Sequence, residues 1–344
     1  MSSERGRITI TGFDADRVTE REDFVEWRDQ TDRKTVGRWQ KAFWRFARNR
    51  SALLGLLVVL IMIVLAIFVR PLTLFGQTIQ PWGFSEWAVT DIIRFRGGDA
   101  GIYDEPTLAH PFGTDGTGRD MFTRVLYGGR YSISIGFVVV GLTATFGLVF
   151  GAVAGYFGGW VDEILMRIVD LVFAFPPLVL AMVIVAMLGG GYWQLVAAFS
   201  LAGWVGYARL IRGEVLKVKQ NEYVLAAKAL GARDRSIIFR HIIPNAIAPV
   251  IVQASLSVGT VVIGVAALGF LGIGFDPGTP EWGTMLDGTR NTLIQGPGGT
   301  IPWWATVFPG GAIFLFVMAM NLIGDGVNDA LDAQNDDIRV GGGG

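Results

Sequence analysis

The chain lacks cysteine altogether, and of its 344 residues only 17% are charged and two are histidine. The absence of cysteine excludes disulfide bonds, thiol nucleophiles and cysteine ligands to zinc. The sequence contains no Gly-Lys pair, so the phosphate-binding pattern Gly-x-x-x-x-Gly-Lys-Ser/Thr is missing as well. If nucleotide hydrolysis drives this protein, the energy must come from another polypeptide.

Long uncharged runs dominate the rest of the chain, in which 51% of residues are hydrophobic. The first run, Ser51–Val69, has 19 residues, and as a helix it would be about 28 Å long, close to the hydrocarbon thickness of a bilayer. We therefore predict an all-α membrane protein with six transmembrane helices. The predicted spans are 51–70, 131–156, 163–188, 192–212, 246–272 and 304–324.

Basic residues concentrate in segments 33–50 and 209–241, which the positive-inside rule assigns to the cytoplasm. An even number of spans then places both termini in the cytoplasm and segments 71–130 and 273–303 outside. Segment 71–130 also carries arginines, but long loops obey the rule poorly. The first apolar run follows 50 hydrophilic residues, so we expect no cleavable signal peptide. His110 falls outside and His241 inside, so the two cannot share a metal or catalytic site.

The residues before the first span divide into two parts. Residues 1–37 are charged, with acidic residues in excess over residues 1–32, and are predicted to form a cytoplasmic tail. Residues 38–46 place Trp39, Phe43 and Phe46 at helical spacing beside basic residues, which predicts a helix lying in the membrane interface on phospholipid headgroups. The alternative is a basic juxtamembrane segment whose aromatic residues are incidental. We expect no nucleic-acid partner.

Glycines recur every fourth residue in the second predicted span, at Gly147, Gly151 and Gly155. They leave one helix face nearly bare, so that a second helix can approach closely. This contact could slide during transport or serve as static packing.

The third predicted span carries Glu163, Arg167 and Asp170, spaced so that the arginine can pair with either acid. A proton relay is the functional alternative, although the cluster is shallow and self-neutralising. Pro176 and Pro177 should kink the same helix, either to line a pathway or to shape a packing surface.

A polar, basic loop at Asn221–Asn245, NEYVLAAKALGARDRSIIFRHIIPN, separates two apolar runs. The segment Leu216–Leu230 predicts a short helix, in which Ala226 and Ala227 give one face only small side chains. Gly231 can adopt the left-handed conformation that ends a helix.

A second short helix is predicted from about Asp234 to Ile243, and Pro244 should end it. Its apolar side would comprise Ile237, Ile238 and Ile242. The result would be a stiff, bent plug on the membrane surface that passes a partner's rigid-body motion to the membrane helices. The alternative is an ordinary basic loop, which would not need these residue types at these offsets.

This loop resembles the coupling loop of permeases in binding-protein-dependent ABC importers, whose pattern is roughly Glu-Ala-Ala, three residues, Gly, nine residues, Ile-x-Leu-Pro. Leu225, His241 and Ile243 replace the glutamate, the first isoleucine and the leucine, as in the peptide/nickel branch. We call residues 214–245 the coupling loop. By this resemblance its candidate coupling residues are Tyr223, Ala226, Ala227, Gly231, Ala232, His241, Ile243, Pro244 and Asn245.

Three further segments resemble the same branch, and together the matches cover about residues 38–332. The sequence HPFGTDGTGRD before the second span predicts a glycine-hinged turn followed by a short polar helix, held by Asp and Thr hydrogen bonds. Segments 269–274 and 281–286 resemble the outer-face loop. The outer motif comprises His110, Gly113, Thr114, Asp115, Gly118, Arg119 and Asp120, and the C-terminal motif Gly324, Asp325, Asp329 and Asp332.

The resemblance implies the type I ABC importer permease fold in a cytoplasmic (inner) membrane. The domains would be a tail at 1–37, an interfacial helix, first span and outer segment at 38–129, a five-helix core at 130–332, and a C-terminal tail at 333–344. The glycines at 341–344 suit a flexible end or a cloning remnant. Implied partners are a sister permease, two cytoplasmic ATPases that hold ATP and magnesium, and an external solute-binding protein. The chain itself would bind no cofactor or metal and have no catalytic residue.

The implied substrate is a di- or oligopeptide, with nickel chelates and oligosaccharides left open. The main alternative is a proton-coupled secondary transporter, which would need deep, unpaired acids and inverted repeats. A membrane enzyme would need nucleophile and base clustered at one depth. A structural scaffold would leave the coupling loop unexplained.

Overall fold

The computed structural model describes residues 38–74, 77–80, 83, 101–292 and 301–340. The predictions for the tail at 1–37 and for the glycines at 341–344 lie outside this range. In chain order the elements are α1 Arg38–Phe46, α2 Arg50–Phe68, β1 Leu72–Leu74, β2 Gln77–Gln80, α3 Met121–Phe157, α4 Gly159–Phe173, α5 Pro177–Leu188, α6 Tyr192–Lys219, α7 Glu222–Ala229, α8 Asp234–Ile237, a π-helical turn Ile238–Ile242, α9 Ile243–Ala246, α10 Ala248–Phe270, α11 Trp282–Asp287 and α12 Trp304–Val340.

Membrane-spanning length is reached by five described helices, α2, α3, α6, α10 and α12, and the bent pair α4 and α5 makes a sixth span. The predicted all-α architecture with six spans is therefore confirmed. Three boundaries differ clearly from the prediction. Helix α3 starts at Met121, ten residues before the predicted span at 131. Helix α6 runs to Lys219, beyond the predicted end at 212. Helix α12 stays helical through Val340, so the predicted C-terminal tail begins as its continuation.

The prolines predicted to kink the third span break it instead. Helix α4 ends at Phe173, α5 begins at Pro177, and the two axes differ by 80°. Pro176 takes an extended conformation with ψ 126° and Pro177 occupies the first helical position, where its missing N–H costs nothing. Consecutive prolines thus remove more of the hydrogen-bond ladder than a kinked helix tolerates.

The sequence spacing suggested that the charges of α4 pair with one another. Two of its acids instead pair with arginines of α6. Arg167 lies 3.9 Å from Glu163, and both side chains are exposed. Asp170 instead accepts a 2.7 Å hydrogen bond from Arg209 of α6, and Asp162 binds a second arginine of that helix. Asp162 and Asp170 therefore connect α4 to α6.

The glycine face of α3 contacts α6 without intervening side chains. A Cβ atom added at Gly147 would lie 2.4 Å from the Cβ of Tyr207, and one at Gly151 would lie 2.2 Å from the carbonyl oxygen of Ala208. Gly155 meets the backbone of Arg212 in the same way, at 3.0 Å. The predicted close approach is confirmed, with α6 as the partner helix.

Helix α12 packs against α2 and α10 through glycines contributed from both sides. Gly55 of α2 faces the carbonyl oxygen of Ala319, Gly326 faces Ala52, and Gly324 faces Leu256 of α10. These contacts attach the first span to the core along much of its length. A central cluster formed by α2, α3, α10, α11 and α12 includes Trp282 and Phe316.

Arg130 of α3 holds the outer end of the first span. Its guanidinium donates to the carbonyl oxygens of Ala66 at 2.7 Å, Ile67 at 2.6 Å and Pro71 at 3.1 Å, and also to that of Arg70. The carbonyls of Ala66 and Ile67 belong to the last turn of α2 and have no intrahelical partners, and a cation is favoured at such a helix C-terminus. A short antiparallel hairpin, β1 and β2, follows directly.

Helix α1 forms as predicted, but its aromatic residues do not share one face. Trp39, Phe43 and Trp44 are exposed, while Ala42 and Phe46 pack against the end of α12. The predicted stripe of Trp39, Phe43 and Phe46 is therefore wrong for Phe46, because that side chain packs against α12.

We predict that Gly151→Ala destabilises the protein, because the new methyl group would lie 2.1 Å from Ile211 and 2.2 Å from a backbone oxygen that cannot move aside. Forced repacking of this kind costs about 1–3 kcal/mol. The matched control is Gly141→Ala on the same helix, where no atom lies within 4 Å. Thermal unfolding in detergent should show a lower Tm for Gly151→Ala only. Equal Tm values for the two variants would contradict the packing described here.

Candidate functional site

The coupling loop is a compact helical structure at one end of the bundle. Helix α6 runs to Lys219, a short turn follows, and α7 covers Glu222–Ala229. Gly231 has φ +78°, the left-handed conformation predicted for it. Its N–H donates to the carbonyl of Lys228, and the Ala232 N–H donates to that of Ala227. The chain therefore reverses between α7 and α8 through backbone bonds that end the first helix.

Two details of the loop differ from the prediction. Residues 216–219 belong to α6, so the short helix begins at Glu222 and not at Leu216. Pro244 does not stop the second helix. The backbone widens into a π-helical turn in which the Ile243 N–H donates to Ile238, five residues back, and Pro244 then sits in the first turn of α9. The wider turn gives room to a proline that would clash in a regular α-helix.

Buried aliphatic residues anchor the loop to the membrane helices. Val224, Ile237 and Ile242 are buried, and they pack with Ile211 and Val215 of α6. Ile238 is partly buried against the same cluster, which confirms the predicted apolar side of the second helix. The loop can therefore move only with the ends of the helices beneath it.

The loop also carries exposed apolar side chains. Leu230 has 88% of its surface exposed, Phe239 62% and Leu225 54%. The same loop exposes the cations Lys228, Arg233, Arg235 and Arg240 and the acids Glu222 and Asp234. Of the candidate coupling residues, Tyr223, Ala226, Gly231 and Asn245 are exposed, while Ala227, Ala232, His241, Ile243 and Pro244 are partly buried.

Ion pairs and hydrogen bonds fix the base of the loop to the bundle. Arg212 of α6 binds both carboxylate oxygens of Asp162, at 2.5 and 2.6 Å. The Tyr156 hydroxyl donates to Asp234 at 2.5 Å, and Lys219 donates to the Tyr156 carbonyl. These contacts join α3, α4, α6 and α8. These contacts could not be predicted from the sequence, because no local spacing relates Tyr156 to Asp234.

The outer motif forms a tight turn at the other end of α3. Gly113 and Gly118 have φ +67° and +75°, as the predicted glycine hinges require. Asp120 accepts a 2.7 Å bond from the Thr123 N–H and so caps α3, and its other oxygen lies 2.9 Å from His110 Nδ1. The short polar helix predicted after the turn is absent from this described segment, since Asp120 begins the 37-residue α3 directly.

Asp115 organises the inside of this turn. One carboxylate oxygen accepts from the Thr117 side chain and from the N–H groups of Thr117 and Arg119. The other pairs with Arg119 at 2.8 Å and lies 3.4 Å from Arg124. Burial alone would raise the pKa of Asp115, but the Arg124 charge, followed by the Arg119 and Thr117 contacts, holds it below its ordinary value of 3.8.

The two arginines also connect the turn to the second outer loop. Arg124 and Arg119 both donate to the carbonyl oxygen of Gly278, at 3.0 and 3.4 Å. Trp304 at the start of α12 donates to the Thr114 carbonyl at 3.1 Å. Three outer segments distant in sequence therefore meet around the motif. Sequence analysis named neither Arg124 nor Gly278, and the position of Arg124 one helical turn after Asp120 was the available signal.

Glu281 is placed within the bundle, although the sequence suggested an outer loop. Its side chain is 1% exposed and accepts from the Ser132 hydroxyl at 3.0 Å. Its other oxygen accepts from the Thr284 N–H and hydroxyl, so Glu281 caps α11. All these donors are fixed by α3 and α11, which gives the carboxylate a structural role.

Comparison with known proteins identifies the family to which these features belong. Residues 147–336 match the family model of the binding-protein-dependent transport system inner membrane component, and residues 37–88 match the N-terminal TM domain of oligopeptide transport permease C. The chain belongs to this family of transport permeases. The predicted type I ABC importer permease fold and multi-pass membrane character are thereby confirmed.

Three similar relatives match most of this permease. The dipeptide transport system permease protein DppC of Alkalihalophilus pseudofirmus is 40% identical over 300 residues, which cover 87% of this chain and 91% of that one. The glutathione transport system permease protein GsiD of Shigella dysenteriae is 38% identical over 296 residues, or 86% and 90% of the two chains. GsiD of Pectobacterium atrosepticum is also 38% identical, over 296 residues.

The family match locates the candidate motifs of this permease. The coupling loop and the C-terminal motif lie inside the match at 147–336, while the outer motif lies between the two matched segments. Gly324 provides the contact with Leu256, Asp325 is exposed, and Asp329 accepts a 3.2 Å bond from Asn49 at the start of α2. The prediction for the Asp332 side chain lies outside the described residues.

We predict that Asp115→Asn destabilises the permease by about 3 kcal/mol, because it leaves Arg119 and the buried Arg124 without their carboxylate. The control is Glu105→Gln, an exposed acid in the same outer segment. Tm measured by thermal unfolding in detergent should fall for Asp115→Asn only.

The pKa of Asp115 also sets a pH dependence for this difference. Since the folded pKa lies below 3.8, the stabilisation is complete above that value and is lost as the pH falls through the folded pKa. The Tm gap between wild type and Asp115→Asn should therefore hold at neutral pH and close only below about pH 3.8. A gap that is independent of pH would contradict the assignment.

Proposed function

We propose that this permease is the transmembrane subunit of an ATP-driven importer for di- and oligopeptides, and that separate ATPase subunits dock on its coupling loop. The single observation that carries the proposal is that this loop exposes Leu225, Leu230 and Phe239 together with four cations, while its base is anchored in the bundle. Exposed apolar residues with a polar rim are typical of a protein interface.

The construction of the loop suits the transfer of motion. Its inner face belongs to one packed cluster with α6, and Asp234 and Lys219 hold it to Tyr156 of α3. A force applied at Leu230 would therefore move the ends of α3 and α6 without being absorbed locally. ATP binding would close the ATPase pair, and the rocking helices would switch the pathway from inward-facing to outward-facing.

We further propose an orientation in the membrane from the elements grouped at this end. Helix α1, the end of α12 and the start of α10 share one cluster around Ala42 and Ala330. Because α10 begins directly after the coupling loop, both ends of the described chain lie on the side of the loop. The cations of the loop favour the cytoplasm for that side, in a cell with this permease in its inner membrane.

Peptides are the substrate class that the relatives support. The permeases that are 38–40% identical are named for dipeptide and glutathione transport, and glutathione is itself a short peptide. We further propose a sister permease beside this chain, two ATPases carrying ATP and magnesium, and an external solute-binding protein that delivers the peptide. The family description is itself binding-protein-dependent.

The rival proton-coupled carrier has less support. The acids of α4 and α11 that lie nearest to the predicted spans have partners in the described residues: Asp162 and Asp170 bind arginines, Glu163 lies 3.9 Å from Arg167, and Glu281 accepts from Ser132 and Thr284. A proton carrier needs an acid that gains and loses its proton during transport. Peptide uptake that resists uncouplers and is blocked by vanadate would agree with the ATP-driven importer.

The first test is co-purification of the complex from native membranes with Ala226→Glu in the coupling loop. Ala226 is exposed on α7, so the change adds charge to the docking face without disturbing the core. We expect the sister permease to remain bound and the ATPases to be lost. The control is Leu108→Glu, which adds the same charge at a fully exposed position of the outer segment. This variant should retain both the sister permease and the ATPases. Retention of the ATPases by Ala226→Glu would refute docking at this site.

We also predict that Gly231→Pro uncouples ATP hydrolysis from uptake. Proline requires φ near −65°, whereas Gly231 has φ +78° and donates its N–H to Lys228. The turn between α7 and α8 should therefore rearrange while the membrane helices still insert. The control is Gly231→Asn, since asparagine tolerates the left-handed conformation. In proteoliposomes, the amount of peptide transported per ATP hydrolysed should fall at least fivefold for Gly231→Pro and stay unchanged for Gly231→Asn. Normal uptake by Gly231→Pro would count against a rigid loop.

A further inference from the structure

Helix α10 carries a polar stripe on a face that is not fully covered. Gln253, Ser257, Thr260 and Gly264 follow one another at intervals of four, three and four residues. Gln253 and Thr260 are exposed, and the Gln253 amide donates to Ser257 at 3.1 Å. Such side chains are unfavourable against lipid tails, so the stripe indicates a face that meets water or another polypeptide.

Next to this stripe lies a half-open cavity of about 270 Å³, lined by residues of α3, the start of α5, α6 and α10. Most of its lining is apolar, and Thr143, Tyr207, Ser257 and Thr260 contribute hydroxyl groups. Its residues come from the middle of the three long helices, α3, α6 and α10. The described residues around it include no charged side chain.

The Tyr207 hydroxyl is the unsatisfied group in this cavity. The residue is 5% exposed, and its hydroxyl has no hydrogen-bond partner of good geometry in the described part of the chain. The hydroxyls of Ser257 and Thr143 lie close to it, but neither forms a hydrogen bond of good geometry with it, and Thr143 directs its own proton to the carbonyls of Val139 and Val140, at 2.9 and 3.1 Å. A buried hydroxyl without a partner costs about 1–3 kcal/mol, so a ligand that completes the bond is favoured.

We propose that Tyr207, Ser257 and Thr260 form a neutral notch that binds the peptide backbone of the substrate in the middle of the membrane. A phenol and two aliphatic hydroxyls can donate to a peptide carbonyl and accept from a peptide N–H. Without fixed charge the notch holds neither terminus of the peptide strongly, and it does not depend on side-chain identity. Weak contacts to the one feature that all peptides share suit a site from which the substrate must leave again.

This inference rests on the proposed function, and its test uses the complete importer in proteoliposomes with its solute-binding protein. The variant is Tyr207→Phe, which removes one oxygen and keeps both the ring and the Cβ atom that lies against Gly147. We expect the maximal rate of dipeptide uptake to fall about three- to tenfold, the effect of one hydrogen bond. The KM for external peptide should change less than twofold, because the binding protein captures the peptide first.

A stability measurement separates binding from a structural role. Loss of an unsatisfied buried hydroxyl should leave Tm unchanged or raise it, whereas loss of a structural contact would lower it. The matched control is Ser200→Ala on the same helix. The Ser200 hydroxyl is also buried without a partner in the described residues, but it faces a separate apolar cavity beside Leu201 and Trp204. Its removal should leave uptake unchanged.

A second substrate tests the chemistry assigned to the notch. Methylation of the peptide nitrogen removes the only backbone N–H between the two residues of a dipeptide. The double variant Ser257→Ala/Thr260→Val should therefore slow the ordinary dipeptide more than the N-methylated one, each relative to wild type. Equal slowing of both would refute backbone recognition.

The outcomes distinguish the two proposals. Uptake by Tyr207→Phe equal to wild type, or slowed together with a lower Tm, would overturn the notch while leaving peptide import intact. A wild-type complex that binds its ATPases but imports no peptide would overturn the peptide substrate and the notch with it.

Discussion

The close contact between α3 and α6 is the constraint on which the rest of the structure depends. At Gly147, Gly151 and Gly155 the two helices meet backbone to backbone, and one added methyl group would overlap main-chain atoms of the partner. This contact aligns Tyr207 with the central cavity and places Arg212 opposite Asp162. It also sets the end of α6, from which the coupling loop continues. Van der Waals packing of small residues is effective in a membrane, where the hydrophobic effect supplies little force between helices.

From this contact the molecule extends towards two polar ends. At the end that carries the coupling loop, ion pairs and the hydrogen bond of Tyr156 to Asp234 hold this loop as part of the bundle. At the end that carries the outer motif, Asp115 and its arginines join the turn before α3 to Gly278. Both ends connect segments far apart in sequence, so a displacement at one face would reach several helices together. This arrangement is what a protein needs if energy from an attached ATPase is to move a pathway between helices.

The prolines and glycines differ in how far their local rules predicted the outcome. Gly231 adopts positive φ as its place after α7 required, and the glycines at 113 and 118 do so as well. Pro244, however, lies inside helical structure, because the chain inserts a wider π-turn and keeps Ile242 in the core. Pro176 and Pro177 break a span that was expected to kink. A local rule says which hydrogen bond is lost, but the surrounding packing decides how the chain compensates.

The sequence by itself determined the membrane class, the number of spans and the place of the coupling loop, because these depend on the length of apolar runs and on the order of charges and turn residues. The glycine face of α3 could also be predicted from the sequence, since its residues follow the helical period. Only the tertiary structure decided that Asp170 pairs with Arg209, that Glu281 is buried, and that Tyr207 lines the same cavity as Ser257 and Thr260. Those contacts join residues from different helices, whose rotation and depth relative to one another are set by packing and not by any local pattern.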